Sequence, residues 1–100
     1  MKYVVSWTYL MNGSGAENEA AIERALRLFA AWTPPSGTTF HQFVNKLDGA
    51  GGFAVVETDN PTELADLPNN FGHFIDVRID PVIDMTEATQ MIQQSVEFRK

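Results

Sequence analysis

A helix-start signature, a small capping residue with glutamate three places later, occurs at Ser14 with Glu17, Asn60 with Glu63 and Asp84 with Glu87. In each, the capping side chain can accept a hydrogen bond from an unpartnered N–H, while the glutamate sits at the positive end of the helix. Two of the three follow extended stretches rich in β-branched or aromatic residues, and the third follows the last strand candidate. This punctuation predicts the order β-α-β-β-α-β with a terminal helix.

The segments between the caps agree. Lys2 to Tyr9 has strand composition, and Asn12-Gly13 breaks the chain before Ser14. From Gly15 to Trp32, Ala21, Ile22, Ala25, Leu26, Phe29 and Trp32 recur at helical spacing, with Glu23, Arg24 and Arg27 opposite. Thr33-Pro34-Pro35-Ser36-Gly37 stops this helix. Thr38 to Leu47 and Phe53 to Thr58 flank a hairpin loop at Asp48-Gly49-Ala50-Gly51-Gly52. A second helix opens at Asn60 with Pro61 preset for its first position; Pro68 is expected to end it, leaving Asn69 to Gly72 as a loop. Phe74 to Ile83 alternates, Ile75, Val77 and Ile79 against Asp76, Arg78 and Asp80, and Pro81 implies an edge strand or a bulge. In the last helix, Met85 to about Phe98, Met85, Ala88, Ile92 and Val96 form one stripe.

Two βαβ halves joined by a hairpin make an α+β, ferredoxin-like split βαβ sandwich. Its four-stranded antiparallel sheet has order 4-1-3-2, with both main helices on one face. One domain covers residues 1–100, a length below that at which chains divide. Strand one places Tyr3, Val5, Trp7 and Tyr9 on one parity and Val4 on the other; strand two places His41, Phe43 and Leu47 against Phe40 and Val44. A single helical layer cannot bury both sets, and an exposed aromatic face would be adhesive. A second copy of the same sheet, related by a twofold axis, is the expected cover, with the terminal helix as the competing one. The nearly uncharged second strand is a further pairing edge.

Composition excludes several functions. The net charge is −6 with scattered Lys and Arg, so neither nucleic acid nor an anionic membrane is an expected partner. No cysteine is present, which removes thiolate chemistry and Cys-based metal sites. The apolar run in Met1 to Tyr9 is too short for a signal peptide and no stretch could span a bilayer, so a cytoplasmic location is expected. Gly51-Gly52-Phe53-Ala54-Val55-Val56-Glu57 superficially matches an RNA-recognition strand but lacks its basic residue and stacking aromatics. Gly49, Gly51 and Gly52 lie between strands rather than before a helix, so a turn explains them better than a phosphate loop.

Five residues remain as site candidates. His41, amid Phe40, Phe43 and Val44, has the ordinary chemistry of a general base, although a bonded core imidazole accounts for it equally. Glu57 and Arg78 are charges on sheet strands, either solvated or set to hold a polar ligand group. Trp7 and Tyr9, with Trp32 and the phenylalanines, can wall an apolar pocket or simply fill the core. His73 reads as a rim residue. No Ser-His-Asp order, metal spacing or dinucleotide fingerprint is present, and no cofactor is expected.

Lys2-Tyr3-Val4-Val5-Ser6-Trp7, Phe40-His41-Gln42-Phe43 and Gly52-Phe53-Ala54-Val55-Val56-Glu57, together with length and element order, resemble a family of short bacterial proteins of unknown function. That family is similar to the dimeric alpha-beta barrel superfamily, and the resemblance covers nearly the whole chain. It implies a dimer, and a ligand site between sheet and helices. Superfamily members include cofactor-free monooxygenases, small isomerases and haem-degrading enzymes; the Asn, Trp and His that the last group places around haem have no position-by-position match here. The leading expectation is a homodimeric small-molecule-binding or assembly module with an apolar aromatic cleft. The alternative is a cofactor-independent monooxygenase or isomerase acting on an aromatic or polyketide-like substrate, with His41 as base, Arg78 or Glu57 orienting polar groups, and Trp7 and Tyr9 as walls.

Overall fold

The computed structural model describes residues 1–100. Strands β1 (Lys2–Tyr9), β2 (Thr38–Asn45), β3 (Gly51–Thr58) and β4 (Ile75–Val82) pair antiparallel in the order β2-β3-β1-β4. Helices α1 (Gly15–Ala31), α2 (Asp66–Phe71) and α3 (Met85–Arg99) complete the expected element order, with a 3₁₀ turn, Pro61–Ala65, leading into α2. The edge position of β4 accommodates Pro81, whose missing N–H disrupts no inner ladder.

Of the three predicted caps, one forms as drawn. The Ser14 side chain accepts from the Glu17 N–H at 3.2 Å while the Glu17 carboxylate accepts from the Ser14 N–H at 3.3 Å. At the other two, partners distant in sequence take the carboxylates. Glu63 accepts the Thr38 hydroxyl at 2.7 Å, and Asn60 accepts that of Thr62. Asp84 accepts the Lys2 ammonium at 2.9 Å, leaving α3 started only by backbone bonds such as Ala88 N–H to the Asp84 carbonyl. Pro68 does not end a helix: it stands in the first turn of α2, where its absent N–H has no partner to lose, and Asn69 to Phe71 continue the helix.

Strand β2 departs from simple alternation. Phe40 opposes Val56, but Gln42 opposes Val55 and Phe43 opposes Ala54, so a bulge at His41 resets the parity. Phe40 and Phe43 therefore share one face, their ring centroids 5.2 Å apart, and both sit with the buried Val5, Ala54 and Val56 on the side of α1 and α2. The second face is less aromatic than expected, with Phe53 its one phenyl ring. Val4, Val44, Phe53 and Val55 form an apolar centre there, ringed by Lys2, Ser6, His41, Glu57, Arg78 and Asp80. Leu47, expected in the strand, lies in the hairpin loop and is fully exposed.

The hairpin turns through Gly49 at φ +74°, a conformation that favours glycine. Gly51 and Gly52 belong to β3 rather than to the loop, because the β1 backbone and the Trp7 ring lie directly against them. Leu64, Leu67 and Phe71 complete a core of six buried apolar residues. That is a thin core for 100 residues, and α1 and α3 contribute no buried residue to it. Helix α3 covers no face of the sheet, which removes the competing cover expected for the open side.

Candidate functional site

The half-buried space between α1 and the sheet is the main concavity. Capping at Ser14 and the stop at Thr33-Pro34-Pro35 fix the length of α1, and Trp32, its C-cap, anchors its end. The Trp32 indole N–H donates to Asp66 of α2 at 2.8 Å, and its ring meets Phe71 edge-on at 5.7 Å. At that end the aromatics close up: Phe40 and Phe43 stand edge-on to Trp32 at 6.3 and 6.4 Å. Toward the N-terminal half of α1 the layer opens. Ala21 and Ala25, one turn apart, present only methyl groups, and the glycine at position 52 lets the Trp7 ring approach β3 closely.

The resulting cleft has a volume of about 510 Å³. Trp7, Phe43 and Ile75 line its sheet side, Ile22, Leu26 and Phe29 its helix side, and Leu67, Phe71 and Phe74 one end. Its polar groups are few. The Tyr9 hydroxyl donates to Asn45 Oδ1 at 2.6 Å, and the Asn45 amide donates to the Lys46 carbonyl. Asn18 is bonded through both ends of its amide to the Gly13 backbone. Tyr9 is the sole titratable side chain lining the cleft. No group of three or more His, Asp or Glu side chains is placed to hold a metal ion.

The five sequence candidates divide between the two sides of the sheet. Trp7 and Tyr9 line the cleft. His41 and Glu57 stand together on the open side, Nε2 to Oε1 at 2.9 Å, both about half exposed. Arg78 lies on that side too, opposite Ser6, and its nearest carboxylate is Asp80 at 3.8 Å. The bulge that joins Phe40 to Phe43 thus sets His41 and Trp7 on opposite faces. Asn45 and Leu26 line the cleft without any mark in the sequence that sets them apart as site residues.

The hydrogen bond from His41 holds the Glu57 carboxyl below its ordinary value of 4.5, with the His41, Lys2 and N-terminal charges adding to the effect against partial desolvation. A depressed carboxylate contributes stability above its unfolded pKa, which is lost as pH falls through the folded one. Thermal midpoints followed between about pH 5 and pH 2 are therefore expected to fall less steeply for Glu57→Gln than for the parent. Glu17, held low by the Ser14 bonds, keeps its own share of the acid limb in both chains. Identical acid limbs would remove the assigned role of the His41 contact.

An α+β domain with an antiparallel sheet, one helical layer and an apolar cleft between them is the class defined by this geometry. The chain belongs to the DUF3303 family, domains of unknown function, whose family model matches residues 1–96. No curated protein matches it.

Proposed function

We propose that the chain is a homodimeric module of the dimeric alpha-beta barrel kind that binds a small, largely apolar molecule between α1 and the sheet. The carrying observation is the cleft. Its volume of about 510 Å³ falls within the range of about 300–1,000 Å³ in which small-molecule sites lie, and its walls are almost wholly apolar. The Tyr9–Asn45 pair is the polar point, suited to one hydroxyl or carbonyl on an otherwise aromatic or aliphatic body. Dimerisation through the open side of the sheet would cover Val4, Val44, Phe53 and Val55, and its rim carries both charge signs in Lys2, Glu57, Arg78 and Asp80. The thin core supports the same reading, because a partner supplies burial that one copy lacks.

The catalytic alternative needs a base beside the substrate. His41 bonds Glu57 across the sheet from the cleft, so binding without chemistry is the better-supported reading.

The test uses 1-anilinonaphthalene-8-sulfonate, an aromatic body with a single anionic group. Saturable binding with quenching of tryptophan emission is expected for the parent chain. Ala25→Trp fills the cleft and should weaken binding by more than about tenfold, or 1.4 kcal/mol, with the circular dichroism spectrum retained. Equal affinity in the folded variant would refute the site. Light scattering over a dilution series tests the dimer, and a monomer at micromolar concentration refutes it.

A further inference from the structure

The polar point of the cleft leaves one kind of hydrogen bond open. Tyr9 commits its hydroxyl proton to Asn45 Oδ1 at 2.6 Å. The Asn45 amide is held in that sense, because its nitrogen donates to the Lys46 carbonyl at 3.2 Å. What Tyr9 still offers is therefore the lone pairs of its oxygen, an acceptor without a proton. The other amide on the wall is occupied, since Asn18 bonds the Gly13 backbone through both of its ends. No charged side chain lines the cleft, and the chain carries a net charge of −6. An ionised group drawn into contact there would lose water and gain no counter-charge.

The strand fixes where this acceptor stands. Val5, Trp7 and Tyr9 share one face of β1, and alternate residues lie about 7 Å apart along a strand. Val5 is fully buried, Trp7 and Tyr9 are half-buried, and Asn45 beside Tyr9 is exposed. The acceptor thus lies at the open end, with the Trp7 ring next inward and Phe43 edge-on to it at 5.6 Å. A molecule that reaches Tyr9 and fills the cleft carries its polar group at one end of an apolar body.

We infer that the cleft selects an uncharged compound with a terminal hydroxyl group, which donates its proton to Tyr9 Oη. This rests on the cleft-binding reading above and narrows its hydroxyl or carbonyl to a proton donor. Tyr9 sets the specificity and Asn45 positions it. An ether, a carbonyl or a carboxylate brings only lone pairs, and binds Tyr9 only by taking the proton from Asn45. Asn45 is exposed, so water replaces part of that loss and the discrimination is that of one net hydrogen bond, about fivefold.

The test displaces anilinonaphthalene sulfonate from the full chain with three probes built on one naphthalene body: 2-naphthol, 2-methoxynaphthalene and 2-naphthoate. The dye reports through its rings, with its sulfonate left in water at the open mouth. The naphthol, a phenol uncharged at neutral pH, should displace the dye at about fivefold lower concentration than the ether, and the naphthoate should do no better than the ether. Tyr9→Phe keeps the ring and should reduce the naphthol to the level of the ether. Asn45→Ala, an exposed change, frees the Tyr9 proton for donation, and the ether should then approach the naphthol. Equal displacement by naphthol and ether in the parent overturns the hydroxyl assignment and leaves the cleft standing. So do a preference that survives Tyr9→Phe or Asn45→Ala, a naphthoate that outcompetes the naphthol, and a bound dye that none of the three displaces. A dye that does not bind, or that binds Ala25→Trp equally well, removes the cleft and this assignment together.

Discussion

Replacing Gly51 by alanine is expected to lower the free energy of unfolding by about 3 kcal/mol, through overpacking that no rotamer relieves. A Cβ at position 51 would overlap the Trp7 carbonyl oxygen and stand 3.1 Å from the Thr8 Cα, both of them backbone atoms of the central strand. Relief requires β1 and β3 to separate, and β1 carries ladders on both of its edges. Gly15→Ala is the matched control. Nothing lies within 4 Å of a Cβ there, and the residue opens α1, so the change should be neutral or slightly stabilising. Urea unfolding followed by circular dichroism measures both, and a Gly51→Ala midpoint equal to that of Gly15→Ala would contradict the close approach of the strands.

Phe71→Ala should cost about 4 kcal/mol, near the middle of the range for truncating a buried aromatic ring. Phe71 is 6% exposed and belongs to the core together with Leu64 and Leu67. It also stands edge-on to Trp32 and tilted against Phe29 at 6.4 Å, so its loss leaves the Trp32–Asp66 hydrogen bond to tie α2 to the end of α1 without aromatic packing. With so few buried residues, little else can compensate. The variant also enlarges the cleft at the end where Leu67 and Phe74 close it. Loss of stability together with weaker probe binding is the expected pair of results. A cost under about 1 kcal/mol would show that the aromatic cluster is not a supporting wall.

Much of the architecture can be read along the chain, because its causes are local. The Ser14 cap with Glu17 completes its bonds within four residues, and the alternation of Ile75, Val77 and Ile79 marks β4 directly. The caps at Asn60 and Asp84 illustrate the limit. Their sequence signature is as good, yet Glu63 and Asp84 are claimed by Thr38 and Lys2, which lie 25 and 82 positions away. A carboxylate satisfied by a tertiary partner is no longer offered to the helix end.

The site was legible only in part. Trp7 and Tyr9 stand on the cleft wall, as their parity in β1 requires once Val5 faces the core. Adjacency to Phe40 and Phe43 places His41 beside them in sequence, and the bulge separates it from the cleft. Side-chain parity along a strand is a collective property of the pairing, so one extra residue inverts every assignment beyond it.

Capping, breakers and hydrophobic period dictated the number, kind and order of the elements, since each acts over a few residues of backbone. Three-dimensional packing alone chose which side of the sheet each β2 residue occupies, how far α1 stands from Trp7 and Gly52, and that α3 finds no surface on its own chain. These depend on which atoms arrive at the same place from distant positions, and no local pattern carries that information.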